Sequence, residues 1–120
     1  MANPQLAGYW VAEVEGKVVG CAGLINYGEE GEIEPVIVTS NYRGRSIGSA
    51  LIGQAVEEAK KRGIRFLSIR PVARNEKVIS LFVKLGFNTI GHVDLFQDIS
   101  PVSDRKWKSG ITIHGNKLDY

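Results

Sequence analysis

The sequence predicts an α+β domain built on a mixed sheet, and three observations carry that reading. Strand-like segments rich in valine and isoleucine fill the stretch from Tyr9 to Val38. Two stretches with helical apolar spacing follow, around residues 46–62 and 75–86, each closed by a glycine. Another strand-like run, Ile64 to Arg70, lies between them. The strands on either side of the first helix are thus joined by a crossover, which makes them parallel neighbours, whereas the earlier strands are close enough in sequence to pair antiparallel.

Taken in order, Tyr9 to Glu15 and Lys17 to Asn26 form an expected antiparallel hairpin across the short Glu15-Gly16-Lys17 link. Tyr27-Gly28-Glu29-Glu30-Gly31 is a turn. Glu32 to Val38 is the third strand, and Pro35 within it has no ladder donor, so it must lie at an edge, a bulge or a splay. The first helix, from about Ser46 to Arg62, places Ile47, Ala50, Leu51, Ala55 and Ala59 on one stripe, with Glu57/Lys61 and Glu58/Arg62 as outward pairs. Gly63 ends it, and Pro71 closes the strand that follows. Asn75 is placed to cap a second helix in which Val78, Leu81, Phe82 and Leu85 repeat at i, i+3, i+4 and i+7, up to Gly86. Phe87 to Phe96 is expected to return as a strand. Gly110 to His114 and Lys117 to Tyr120 then flank Gly115-Asn116, a two-residue loop of hairpin type.

With 120 residues the chain has room for one core, so a single domain over 1–120 is expected. A net charge of +2, from 15 basic and 13 acidic residues, gives no reason to expect nucleic acid. The runs Lys60-Lys61-Arg62 and Arg105-Lys106-Trp107-Lys108 read as solvated surface. A single cysteine, Cys21, excludes an internal disulfide or a cysteine-rich zinc site and suits a reducing compartment; its neighbours Val19, Gly23 and Ile25 point it toward the core. Two histidines without a matching cluster make no metal site. No run approaches eighteen apolar residues, and Met1 to Gln5 lacks a signal-peptide pattern, so a cytoplasmic protein without membrane contact is expected.

The most informative stretch is Val36-Ile37-Val38-Thr39-Ser40-Asn41-Tyr42-Arg43-Gly44-Arg45-Ser46-Ile47-Gly48-Ser49, a strand that runs through a loop of small residues into a helix. The first turn of a helix has free N–H groups and the positive end of the macrodipole, which together hold an anion if no side chain blocks the approach. Gly44, Gly48 and Ser49 keep it open. No Gly-Lys-Ser/Thr follows and the spacing is not Gly-x-Gly-x-x-Gly, so the common nucleotide loops do not apply.

The succession of hairpin, strand, Arg-x-x-Ser-x-Gly loop, helix, strand, Asn-led helix ending in Lys-x-Gly-Phe and final strand resembles the GNAT superfamily of acyl-CoA-dependent N-acyltransferases. Two signatures carry the likeness over roughly Tyr9 to Phe96. Arg43-Gly44-Arg45-Ser46-Ile47-Gly48 is similar to the family's pyrophosphate loop, and Asn75 through Leu81-Phe82-Val83-Lys84-Leu85-Gly86-Phe87 to its second helix segment. The resemblance implies transfer of an acetyl or related short acyl group from acetyl-CoA to a primary amine by direct attack in a ternary complex. It implies that the amides of Arg43, Gly44, Arg45, Ser46, Ile47, Gly48 and Ser49 hold the CoA pyrophosphate. The backbone of Val36, Ile37 and Val38 would pair with the pantetheine arm, and Asn75 would reach the pantetheine or the thioester while also capping its helix.

Three departures stand out. Ser46 occupies the place of the first loop glycine, where its Cβ is tolerable if φ is negative. Phe82 stands where many members have a tyrosine that protonates the leaving thiolate, and a phenyl ring cannot donate a proton. Only about eight residues precede the first strand, so the acceptor side is expected to be open, completed by a second subunit, as in a homodimer, or encoded in a missing partner segment. The alternative to an enzyme is a catalytically degenerate acyl-CoA-binding or sensor module.

An amine with a pKa near 10.4 is mostly protonated at pH 7, so transfer needs a base. Glu32 and Glu34 lie two apart on one strand face, where the family often places a glutamate base. His92, which shares a face with Asp94 on the strand expected over Phe87 to Phe96, is the runner-up.

Overall fold

A computed structural model of the chain describes residues 4–102 and 104–120. The chain forms two compact units that divide after Arg70. The first holds a four-stranded sheet in the order β1-β2-β3-β4, made of β1 (Gln5–Val14), β2 (Lys17–Asn26), β3 (Glu30–Val38) and β4 (Phe66–Ile69). The first three strands pair antiparallel, while β3 and β4 are parallel and joined through the helix α1 (Ile47–Lys61). The mixed sheet with its crossover helix is thus the architecture the sequence predicts.

Local chemistry explains each junction. Glu15 and Gly16 both have positive φ, 52° and 77°, so Val14 and Lys17 face each other across a two-residue turn whose twist matches the strands. At the far end of α1, Gly63 has φ 72°; its N–H donates to the Lys60 carbonyl and that of Ile64 to Ala59, which satisfies two last-turn carbonyls. The apolar stripe of α1 buries Leu51, Ile52, Ala55 and Ala59 against Val19, Ala22, Leu24 and Ile33 of the sheet. Outside that stripe Glu58 pairs with Arg62 at 2.9 Å as expected, but Glu57 takes Lys60 at 3.3 Å rather than Lys61.

Two register shifts correct the expected side-chain directions. Between β2 and β3 the partners pass from Ala22/Val36 to Leu24/Ile33, two residues on one strand against three on the other. The extra residue falls at Glu34-Pro35, the break that Pro35 demands. Gly23 makes room for it: a Cβ there would lie 2.5 Å from the Glu34 carbonyl oxygen. Between β1 and β2 the partners pass from Ala12/Gly20 to Glu13/Val18, which leaves Val19 unpaired and buried. Past this bulge the alternation reverses, so Cys21 is half-buried on the outer face, between Val11 and Ile37, instead of facing the core. There its thiol accompanies Tyr9, whose hydroxyl pKa is raised by a hydrogen bond with Cys21 and by burial.

The second unit holds α2 (Glu76–Lys84) and a hairpin of β5 (Ser109–Ile113) and β6 (Asn116–Asp119). Asn75 caps α2, its Oδ1 accepting from the Val78 N–H at 3.3 Å, and Gly86, with φ 105°, ends it. Phe82 is buried and meets Phe87 edge to face at 6.4 Å between centroids. The hairpin turn sits one residue earlier than expected. His114 and Gly115 take the two positive-φ positions, and Asn116 is already paired with Ile113.

The expected strand from Phe87 to Phe96 does not form. These residues join no ladder, and Ile90, Leu95 and Phe96 are exposed. The alternation of Val93 and Leu95 with His92 and Asp94 would have given a strand one apolar face, and nothing in the sequence explains why none forms. The face that His92 and Asp94 were expected to share therefore does not exist.

Candidate functional site

β3 leaves the sheet on one side before it ends. Its ladder with β4 stops at Ile33/Ile69, whereas its ladder with β2 continues to Val38/Gly20. The Thr39 N–H donates to the Val19 carbonyl at 2.8 Å and so points toward β2. By the alternation of a strand, the amide and carbonyl of Val38 and of Val36 point the other way, along an edge that β4 no longer covers. The Ile37 side chain faces outward, 54% exposed. The predicted splay is therefore an edge of β3 that can take hydrogen bonds.

The edge leads directly to the start of α1. A short turn, Ser40–Tyr42, is followed by Gly44 and Ser46 in left-handed conformations, with φ 78° and 63°. Ser46 was expected to be tolerable at negative φ; it occupies the left-handed region instead. A serine there is strained, which explains why glycine suits the position. That geometry also turns its side chain away from capping duty, since Ser46 makes no side-chain hydrogen bond to the helix. Only its carbonyl joins the ladder, accepting from Ala50 N–H at 3.1 Å. The N–H groups of Ile47, Gly48 and Ser49 thus open the helix without a side-chain acceptor from their own cap.

The space before them is clear. A Cβ on Gly44 would meet nothing within 4 Å, and one on Gly48 only Val38 Cγ2 at 3.8 Å. Two cations flank the opening. Arg43 donates from Nε to the Val38 carbonyl at 3.1 Å, which ties the loop to the open edge, and the Arg45 guanidinium stacks 5.1 Å from the Tyr42 ring. Fixed N–H donors, a helix dipole and two arginines, beside a strand edge that β4 leaves open, together suit an anionic ligand.

A scan against family models matches the acetyltransferase (GNAT) family over residues 2–87. The chain belongs to the GNAT family. It is 40% identical over 87 residues to an uncharacterized N-acetyltransferase of Methanocaldococcus jannaschii, a stretch covering 67% of this chain and 38% of that relative. The chain thus spans less than two thirds of the curated relatives it matches, which are 58–60% covered in two further cases. Among solved structures it is 34% identical to a ribosomal-protein-alanine N-acetyltransferase from Brucella melitensis, with a TM-score of 0.60 over 65% of this chain and 51% of that one. It shares the fold of the aminoglycoside N-acetyltransferase AAC(6')-Iy, solved in complex with CoA, at 18% identity and a TM-score of 0.63, over 77% of this chain and 66% of that one.

The candidate site residues divide between the two units. Val36 to Ser49, Glu32 and Glu34 lie in the first, Asn75, Phe82 and His92 in the second. Asn75 is engaged as a cap, and Phe82 as the buried packing centre of α2. His92 is exposed on the unpaired segment after α2.

Glu32 and Glu34 differ sharply. Both lie on the outer face, Glu34 at the start of the bulge, but Glu34 is exposed whereas the Glu32 side chain is only 12% exposed. Glu32 Oε1 accepts from the Tyr27 hydroxyl at 3.5 Å, and its Oε2 lies 3.9 Å from Arg70 Nη1. Burial, then the negative charge of Glu32, raise the Tyr27 pKa above its ordinary 10. Neither Tyr27 nor Arg70 stands out in the sequence. Their only signal was distance along the chain from Glu32: five residues back across a turn, and two residues past its register partner Ser68.

Proposed function

We propose that this GNAT protein moves an acetyl or related short acyl group from acetyl-CoA to a primary amine by direct attack in a ternary complex. The observation that carries the reading is the open N-terminus of α1 beside the uncovered edge of β3. In this reading the Ile47, Gly48 and Ser49 amides, with Arg43 and Arg45, receive the pyrophosphate, and Gly44 and Ser46 give the loop its left-handed path. The backbone edge at Val36 and Val38 receives the pantetheine arm, and Ile37 flanks it.

Acetyl-CoA supplies an activated thioester, and what remains for the protein is to orient it and to remove a proton from the amine. Glu32 is the better-placed base, because its carboxylate is partly shielded, accepts from the Tyr27 hydroxyl and pairs with Arg70, whereas Glu34 is exposed. Glu34 and His92 are the alternatives that substitution separates. Loss of the acid tyrosine at Phe82 is chemically tolerable, since a thiol with a pKa near 8.5 leaves readily as thiolate.

A second reading, an acyl-CoA-binding module without turnover, draws on the buried phenyl ring of Phe82. Release of free thiol from acetyl-CoA, measured with a panel of primary amines and peptide N-termini, separates the two. Turnover with any acceptor supports transfer. Tight binding without thiol release under all of them supports the module, and no binding at millimolar acetyl-CoA contradicts both.

A further inference from the structure

We infer that Tyr27 is a positioning residue that, with Arg70, fixes the carboxylate of Glu32 at the mouth of the splay between β3 and β4. The inference rests on the acetyl-transfer reading, in which Glu32 removes the proton from the amine. Tyr27 is well anchored for such a role. Its own N–H donates to the Glu30 carbonyl at 2.9 Å, and Asn26 Oδ1 accepts from the Gly28 N–H at 2.8 Å, so the β2–β3 turn is braced on both sides of it. That brace sets the phenol beside Glu32 on the outer face.

Glu32 occupies a particular place in the ladder. It faces Ser68 on β4, and only the Ile33/Ile69 pair separates it from the point where the two strands part. Across β2 its neighbour is Ile25, which offers no hydrogen bond. The charged and titratable groups that face it are Tyr27 from the turn, Arg70 from the end of β4 and Glu34 from its own strand. The phenol therefore donates to one carboxylate oxygen while a guanidinium stands at ion-pair distance from the other, from two different segments.

At 3.5 and 3.9 Å both contacts are long, and an ion pair with an arginine 68% exposed adds little to folding. What they restrict is rotation of the carboxylate, which is what a base aimed at one nitrogen requires. A phenol suits this task better than a second cation would, because it orients the oxygen without adding charge. Partial desolvation, then the negative charge of Glu32, raise the phenol pKa, which favours its protonated, donating form.

The test uses the full chain with acetyl-CoA as donor and three acceptors: ethylamine, lysine methyl ester and an alanine-led peptide. For Tyr27→Phe we expect kcat to fall about three- to tenfold, the scale of one net hydrogen bond. The KM for acetyl-CoA and the melting temperature should stay unchanged, and the acid limb of the pH profile of kcat should move. Glu32→Gln should lose far more, about 10² or beyond. Tyr27→Phe with wild-type kcat and an unmoved acid limb overturns the inference while leaving the transfer reading intact, as does Glu32→Gln with undiminished kcat. If the wild-type chain releases no thiol with any of the three, the transfer reading fails and takes this inference with it.

Discussion

The two helices of this chain end alike and begin differently. Both close on a glycine with positive φ, Gly63 and Gly86, and both turn the last carbonyls back onto the following amides. At the start, Asn75 supplies α2 with a side-chain acceptor, whereas Ser46 supplies none to α1 although serine is among the best capping residues. The residue type is not what decides. Ser46 sits in the left-handed region, after Gly44 in the same region, and the backbone there carries the side chain away from the amides it would cap. A helix closed at its N-terminus serves the fold; one left open beside an uncovered strand edge has donors to spend on a ligand.

Charge reversal should test this contrast most strongly. Arg43→Glu with Arg45→Glu is expected to cost at least about 100-fold in acetyl-CoA affinity, the scale of two charge-assisted contacts. The same reversal at Lys60 and Lys61, at the other end of α1, should leave affinity within about twofold at physiological salt, where charges a helix length apart are screened. Calorimetric titration distinguishes them, and equal losses at both ends would reduce the site to a general charge effect.

The capping contrast gives the next largest effect. Asn75→Ala should cost about 1 kcal/mol of stability, whereas Ser46→Ala should cost less than about 0.5 kcal/mol because no cap bond is lost. Denaturant titration of both variants reads the difference, and a larger loss at Ser46 would mean that its hydroxyl supports the helix after all. The smallest effect has the opposite sign. Ser46→Gly should stabilise the protein by about 0.5 kcal/mol, since relief of left-handed strain slightly exceeds the added freedom of glycine in the unfolded chain.

Much of this was legible in the sequence, and what was not has local causes. The element order, the crossover, the Asn75 cap and both glycine ends follow from periodicity and from residues whose backbone preference is strong. Pro35 announced a break in β3, but not that the break would be a bulge fitted over Gly23 or that it would reset which side chains face outward. The Val19 bulge gave no signal at all, and it alone moved Cys21 from the core to the outer face. The segment from Phe87 to Phe96 has strand-forming residues and an alternating face yet joins no ladder, so propensity and pattern together overstated it. Within the site, the loop and the candidate carboxylates could be read from spacing, whereas the φ of Ser46 and the approach of Tyr27 and Arg70 to Glu32 depend on how turns and strand ends fold back. Those are contacts that sequence distance does not encode.

The central claim is that the open end of α1 is a ligand site and not merely an uncapped helix, and Gly48→Ala tests it most directly. The added methyl fits the free protein, meeting only Val38 Cγ2 at 3.8 Å, and alanine is the better helix residue by roughly 0.5–1 kcal/mol. Melting temperatures should be followed with increasing acetyl-CoA, because a ligand that binds only the folded state raises them by mass action. The account predicts that Gly48→Ala melts at or above the wild-type temperature without ligand and loses most of the rise that acetyl-CoA gives the wild type. A variant whose melting temperature climbs with acetyl-CoA as steeply as the wild type would contradict it, as would a wild type that does not respond at all.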